Sequence, residues 1–345
     1  MTLRPTLFLA AALAVSGCDA LGGSDSASVD PGLFPAVQNG DRVLIDREGR
    51  VVVDLDGYND VHPGGEGLVP ARRWSDGRSV WDFFDESGEV AFTVAADEAY
   101  APRGKRARVR IDGLYAFVDT DGRFLVNPYL RSARDFSENV ARIRTTSGDY
   151  GFMDRDGQVV AETDFDELGD VRDGRARFVD DGKVGFADAQ GAVAIAAAYD
   201  DAREFSGGRA AVRQGTRWFY VDQEDGRPLG SATFLSAGDF AEDRAPVRSD
   251  ANLWEYIDGS GARVIEPQFT EARAFAEGRA AVEIDGRWTF IRPDGSQIAP
   301  PSFDEVEDFA GGLAQVTVVS FADGDERVER GYIDEEGEYV WFPRD

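Results

Sequence analysis

Short apolar runs and polar, glycine-bearing turns alternate along the chain with a constant spacing. An apolar or aromatic segment closes on an acidic residue, and a glycine follows about three residues later, as in Tyr115 to Asp119 with Gly122, Tyr150 to Asp154 with Gly157, Trp254 to Asp258 with Gly261 and Gly331 to Asp334 with Gly337. The closing positions are Asp46, Asp85, Asp119, Asp154, Asp188, Asp222, Asp258, Arg292 and Asp334, which gives spacings of 39, 34, 35, 34, 34, 36, 34 and 42. A period near 34 residues marks a repeat protein, in which one unit cannot bury its apolar face alone and is stabilised by stacking on its neighbours.

Each unit reads as three parts. An alternating run such as Arg209-Ala-Ala-Val-Arg213 or Arg279-Ala-Ala-Val-Glu283 has the period of a strand with one buried face. A turn follows, carrying Gly182, Gly215 or Gly286 in three units, and leads into an aromatic strand such as Trp218 to Asp222, so the two strands form a hairpin. After the second glycine comes a short apolar run, as in Arg263 to Pro267 or Gln297 to Pro301, where proline suits an edge or a strand end because it cannot donate to a ladder. That run leads to an aromatic residue and a second apolar residue six or seven positions on, as in Tyr129 and Phe136, Phe269 and Phe275, or Phe303 and Phe309.

In Phe275-Ala-Glu-Gly278 to Ile291, Phe205-Ser-Gly-Gly208 to Asp222 and Tyr150-Gly-Phe-Met-Asp154 the pattern resembles the WG repeat family residue by residue. The resemblance runs from about Leu33 to Trp341. The namesake glycine survives only as Gly151, Gly185 and Gly331, and the first two units match by spacing more than by identity. The resemblance implies no chemical activity.

The expected fold is all-β, a repeat array of about nine three-stranded units. An open superhelical array of β-hairpins is favoured over a β-propeller, because a blade usually has four strands and about 40 residues or more, and nine blades would exceed the usual four to eight. The divergent first two units are expected to cap the core.

The amino terminus has a different pattern. Residues 1–17 carry one positive charge at Arg4, an apolar stretch from Leu7 to Val15 and the small residues Ser16 and Gly17, the pattern of a cleaved secretory signal. Val15-Ser16-Gly17-Cys18 resembles a bacterial lipobox, which implies a diacylglycerol on Cys18, cleavage before it and acylation, as by palmitate, of the new amine. Residues 18–32 then read as the lipidated cysteine and a flexible tether of Ser, Asp, Gly and Ala with a reach of roughly 20 Å, and residues 33–345 as the repeat domain. Cys18 is the one cysteine, so no disulfide enters the stability argument. The expected location is the cell envelope, anchored to a bacterial membrane and facing periplasm or exterior.

Composition narrows the partners. The formal net charge of -28 disfavours nucleic acid and anionic headgroups. Lysine occurs only at Lys105 and Lys183; a saline habitat and a GC-rich genome would each deplete it. With a single histidine, His62, in the turn-rich stretch Asp60-Val-His-Pro-Gly-Gly65, and a single cysteine, no Ser-His-Asp, Cys-His or histidine-rich metal site can be assembled, and His62 is read as an exposed loop residue.

Paired carboxylates for glycoside hydrolysis are available among 65 acidic residues, but those that stand out repeat with the unit and read as structural. Asp119-Thr-Asp-Gly122, Asp154-Arg-Asp-Gly157 and Asp323-Gly-Asp325 look like the start of a calcium loop. The first two have Leu130 and Phe165 where an EF-hand needs a bidentate Glu, so aspartate is expected to cap a turn and glycine to supply positive φ. Trp81, Trp218, Trp254 and Trp288 share one repeated position that Val184 fills elsewhere, which marks a packing position, while Trp74 and Trp341 lie outside it and are the candidates for stacking on a sugar. No catalytic residue, cofactor or metal site is expected. The expected function is a lipid-anchored, non-enzymatic scaffold that binds an envelope protein through its acidic repeat surface, the alternative being a carbohydrate or peptidoglycan binder.

Overall fold

The computed structural model describes residues 33–38, 41–46, 50–309, 312–322 and 325–341. The signal segment 1–17, Cys18 and the tether to residue 32 lie outside the described residues, as do Asp323 and the Trp341 side chain. Among the described residues every regular element is a strand. They form nine small antiparallel sheets, one for each copy of the sequence pattern.

The sheets have three or four strands rather than three throughout. The sheet of Ser132–Ser137, Val140–Arg144, Tyr150–Asp154 and Val159–Thr163 shows the full set, with each strand hydrogen-bonded to the next in chain order. Its leading strand is the segment around Phe136 that precedes the alternating run. This segment pairs with that run, Phe136 facing Ala141 and Ser137 facing Val140. In four units the leading strand shrinks to two residues paired with the alternating run, as in Glu98–Ala99 and Ser236–Ala237. The closing strand is also variable: near Pro128, Pro228 and Pro300 it is reduced to isolated bridges such as Tyr115↔Leu130 and Trp288↔Phe303. There proline's missing donor interrupts the ladder. Arg263–Phe269, which contains Pro267, stays a strand by bulging.

The chain divides into two compact units. One holds the described residues up to Val171 with Ala189–Ala192; the other holds Arg172–Asp188 and the described residues from Val193 on. In each, the core lies between consecutive sheets. In the first unit Trp81, Phe83 and Phe92 of one sheet pack with Ala99, Val109 and Ala116 of the next. In the second, Tyr256 and Ile265 pack with Phe275, Ala280, Val282 and Ile291. The link is an edge-to-face aromatic pair with one partner from each of two consecutive repeats: Phe117 and Phe136 at 4.9 Å, Phe186 and Phe205 at 4.6 Å, Tyr256 and Phe275 at 5.2 Å, Phe290 and Phe309 at 4.9 Å. Such pairs add about 0.5–1.5 kcal/mol beyond their buried area.

Polar side chains brace the same joints. The Glu66 carboxylate accepts from the backbone N–H groups of Gly104 and Lys105 at 2.7 Å each, one repeat later. In the second unit Asp173 accepts from Gly208 at 2.8 Å, Glu242 from Gly278 at 3.0 Å and Glu277 from Gly312 at 2.8 Å. These acidic residues hold positive φ, between 47° and 51°. Arginines of the alternating run reach forward in the same way: Arg108 Nη1 donates to the Ala133 carbonyl and its Nε faces Asp135 at 3.0 Å, while Arg142 donates to the Leu168 carbonyl and pairs with Asp170 at 3.2 Å. A planar guanidinium serves a carbonyl and a carboxylate together, which an ammonium does with less geometric fit.

Candidate functional site: the groove at Glu255

The second residue of the aromatic strand, the namesake glycine position, sits where the closing strand crosses. At Gly151 an added Cβ would overlap the Ala161 carbonyl, and at Gly185 it would stand 2.6 Å from the Ile195 carbonyl and 2.6 Å from the Phe178 ring. Glycine there is a matter of space. Other repeats place a side chain at this buried position, and two of those side chains are charged: Asp82 and Glu255.

The two carboxylates are served differently. Asp82 receives Arg73 Nε at 2.6 Å and Nη2 at 3.3 Å, the Thr93 hydroxyl at 2.5 Å and the Tyr58 hydroxyl at 2.8 Å. Burial pushes its carboxyl up, but the hydrogen bonds from Arg73, Thr93 and Tyr58 outweigh burial and hold it below its ordinary value. Burial and Asp82 push the Tyr58 phenol up to about 12.

The Glu255 side chain, only 4% exposed, has Arg263 Nε at 2.7 Å from Oε2, and that arginine is half-exposed and also reaches Glu266 at 3.3 Å. Here burial wins over Arg263, and the Glu255 carboxyl is raised. The closing strand opens over this residue: pairing steps from Trp254↔Phe269 to Tyr256↔Ile265, so four residues are passed on one strand against two on the other. Beside it lies an open groove of about 420 Å³. Glu255, Ile257, Arg263 and Pro267 line it from the sheet, Phe234 and Asp250 from the adjoining loops. Asp250 is on the rim, 79% exposed and paired with Arg217 at 2.7 Å. The Arg217 hydrogen bond, with its charge, lowers the Asp250 carboxyl.

The residues singled out by sequence fall elsewhere. Asp119 Oδ1 accepts from the N–H groups of Asp121 at 3.0 Å and Arg123 at 2.8 Å, and Asp154 Oδ1 does the same for Asp156 and Gln158, so these aspartates are turn caps. At the seventh cap Asp258 repeats the geometry with Ser260 and Ala262. In the eighth repeat, where Arg292 replaces the aspartate, Asp294 accepts from Ser296 instead. Trp81 and Trp254 are buried; Trp218 and Trp288 are half-buried against the core, with Arg213 and Arg273 over their rings at 5.9 and 4.8 Å. Trp74 stands 60% exposed near a hairpin tip.

His62 is not the exposed loop residue expected. Its ring lies 4.6 Å from Trp81 and 5.6 Å from Tyr100, with Nδ1 2.7 Å from the Ala99 carbonyl. The prolines and glycines around it signalled a loop, but the next repeat supplies the surface that covers it. Glu255 escaped sequence reading because it is one acid among many. Its signal was a charged residue at the register position of Gly151 and Gly185.

The WG containing repeat family matches this chain in five places: residues 115–146, 150–183, 185–218, 256–288 and 288–318. Those five stretches carry WG repeats, and the match skips residues 219–255, which include seven of the groove-lining residues, Glu255 among them. No curated protein matches the sequence. Among solved structures the fold is similar to one titled as the eukaryotic initiation factor, at 9% identity over 92% of this chain and 86% of that one, TM-score 0.50. BamB from Moraxella catarrhalis aligns at 12% identity over 77% of this chain and 95% of its own, TM-score 0.37. Hsv2 from Kluyveromyces lactis aligns at 8% over 77% and 94%, TM-score 0.38.

Proposed function

We propose that this protein is a lipid-anchored, non-enzymatic scaffold of the bacterial cell envelope, held to the membrane through Cys18 and binding an envelope protein through its acidic repeat surface. The observation that carries the reading is a recurrent exposed apolar residue five positions after the turn-capping aspartate. In the first unit these are Val51, Val90, Phe124 and Val159, between 38% and 45% exposed. Val193 holds the same position in the second unit. Singly exposed apolar side chains are ordinary, but the same one in four successive repeats of the first unit offers a partner a regular set of apolar anchors on a charged surface. The lipobox-like Val15 to Cys18 and the tether support the anchor. Trp74 favours a second reading, glycan binding, because an exposed indole face can stack on a pyranose ring.

The test is a pull-down from detergent-solubilised envelope with the full chain, at low and high salt, alongside fractionation of a Cys18→Ser variant. The expected result is one specific protein, recovered less well at high salt, and a shift of C18S from the membrane to the soluble fraction. Recovery of glycan fragments alone would overturn the scaffold in favour of the lectin-like reading, and C18S remaining in the membrane would overturn the lipid anchor.

A further inference from the structure

The groove at Glu255 differs from every polar feature described above. The turn aspartates, the inter-repeat carboxylates and Asp82 all spend their oxygens on donors of the fold. A carboxylate offers about four lone-pair positions, and Asp82 engages four donors. Glu255 is as deeply buried and has one arginine, which divides itself between Glu255 and Glu266. Leaving a buried carboxylate under-served costs stability, and such costs concentrate at sites that bind. The feature also coincides with the stretch where the WG repeat match lapses.

The lining specifies what fits. Glu255 at the floor and Asp250 at the rim are both anionic; Arg263 pairs with Glu255 along the groove wall and Arg217 with Asp250 at the exposed rim. Phe234, Ile257 and Pro267 supply apolar wall between floor and rim. A group with a compact positive head and an aliphatic stem satisfies both: the stem along the wall, the head sharing the Glu255 carboxylate with Arg263. An anion would meet two carboxylates, and a neutral apolar group would leave Glu255 as it is. We propose that this groove receives a lysine or arginine side chain from a partner protein. This rests on the scaffold reading and gives its partner a chemistry, a basic side chain presented to a protein of net charge -28.

The test is a ligand-observed NMR titration of the full chain in detergent with N-acetyl-lysine methylamide, N-acetyl-arginine methylamide, the neutral isostere N-acetyl-norleucine methylamide, and putrescine. Ligands of this size reach dissociation constants on the order of 1 mM. Saturable binding of the lysine or arginine probe is expected, weakened about tenfold or more in Glu255→Gln and absent for norleucine. Arg263→Gln removes the internal competitor and is expected to tighten probe binding several-fold, so the proposal stays testable should E255Q fold poorly. Equal affinity in E255Q, equal binding of norleucine, or no saturation by about 50 mM would overturn it. Putrescine binding tighter than both amino acid probes would assign the groove to a free diamine instead. Because the probes are read on the isolated protein, a failed pull-down with intact probe binding would overturn the scaffold alone. The converse would move the partner surface away from this groove.

Discussion

At the scale of single residues, glycine does two separable jobs in this chain. Gly122 has φ +77° and would bring a Cβ within 2.8 Å of the Phe92 ring of the preceding repeat, whereas Gly113 has φ +80° and nothing within 4 Å. Gly113→Ala is expected to cost about 1 kcal/mol for the left-handed backbone alone, and Gly122→Ala about 2–4 kcal/mol because overpacking is added. Urea unfolding of both variants, followed by tryptophan emission, reads the difference; equal losses would mean that the approach of successive repeats does not select glycine at Gly122. The turn-capping aspartates and Gly122 were legible from sequence because turn chemistry is local. The crowding at Gly151 and Gly185 was not, since it depends on which strand crosses above.

At the scale of the element, the hairpin of alternating and aromatic strands was legible because a period of two and a glycine turn specify it. The leading strand was not. Its sequence around Phe275 has no regular alternation, and it becomes a strand by pairing with the run that follows, Ala272 facing Val282 and Phe275 facing Ala280. Phe275 is also where one sheet grips the previous one, through Tyr256. Phe275→Ala is expected to cost about 3–5 kcal/mol, as for a large core truncation. If chemical denaturation instead shows a loss under 1 kcal/mol, the joint between sheets is not carried by the aromatic pair.

At the scale of the whole molecule, pH acts through two opposed effects. The Ser87 hydroxyl, against some burial, and the Ser260 hydroxyl, each with backbone N–H groups, lower the Asp85 and Asp258 carboxyls, and backbone N–H groups lower Asp222. A folded value below the unfolded one, near 3.9, gives stability that is complete above that value and lost as pH falls through the folded value. Glu255, raised by burial, has the opposite sign: its contribution is complete below the unfolded value and lost as pH rises through the folded one. Net charge adds self-repulsion that relaxes toward the pI near 4.4. At low salt the melting temperature is therefore expected to rise from pH 7 to about pH 5 and to fall below about pH 4. In about 1 M salt the rise should flatten and the acid loss should remain. A melting temperature that climbs steadily to pH 2 would contradict the capping role of the aspartates.

What the sequence determined by itself was everything that recurs: the period, the all-β class, the hairpins and the aspartate-glycine turns, because each repetition restates the same local physics. What only the tertiary structure decided depends on the neighbouring repeat. The carboxylates of Glu66, Glu242 and Glu277 became braces because the next turn presents its N–H groups to them. The arginines became bridges for the same reason, which gives the scarcity of lysine a structural cause beside habitat or genome composition. His62 became a packed residue because Tyr100 of the next repeat lies against it. Glu255 became a candidate site because the strand above it bulges and leaves a groove, a consequence of register that no local pattern encodes.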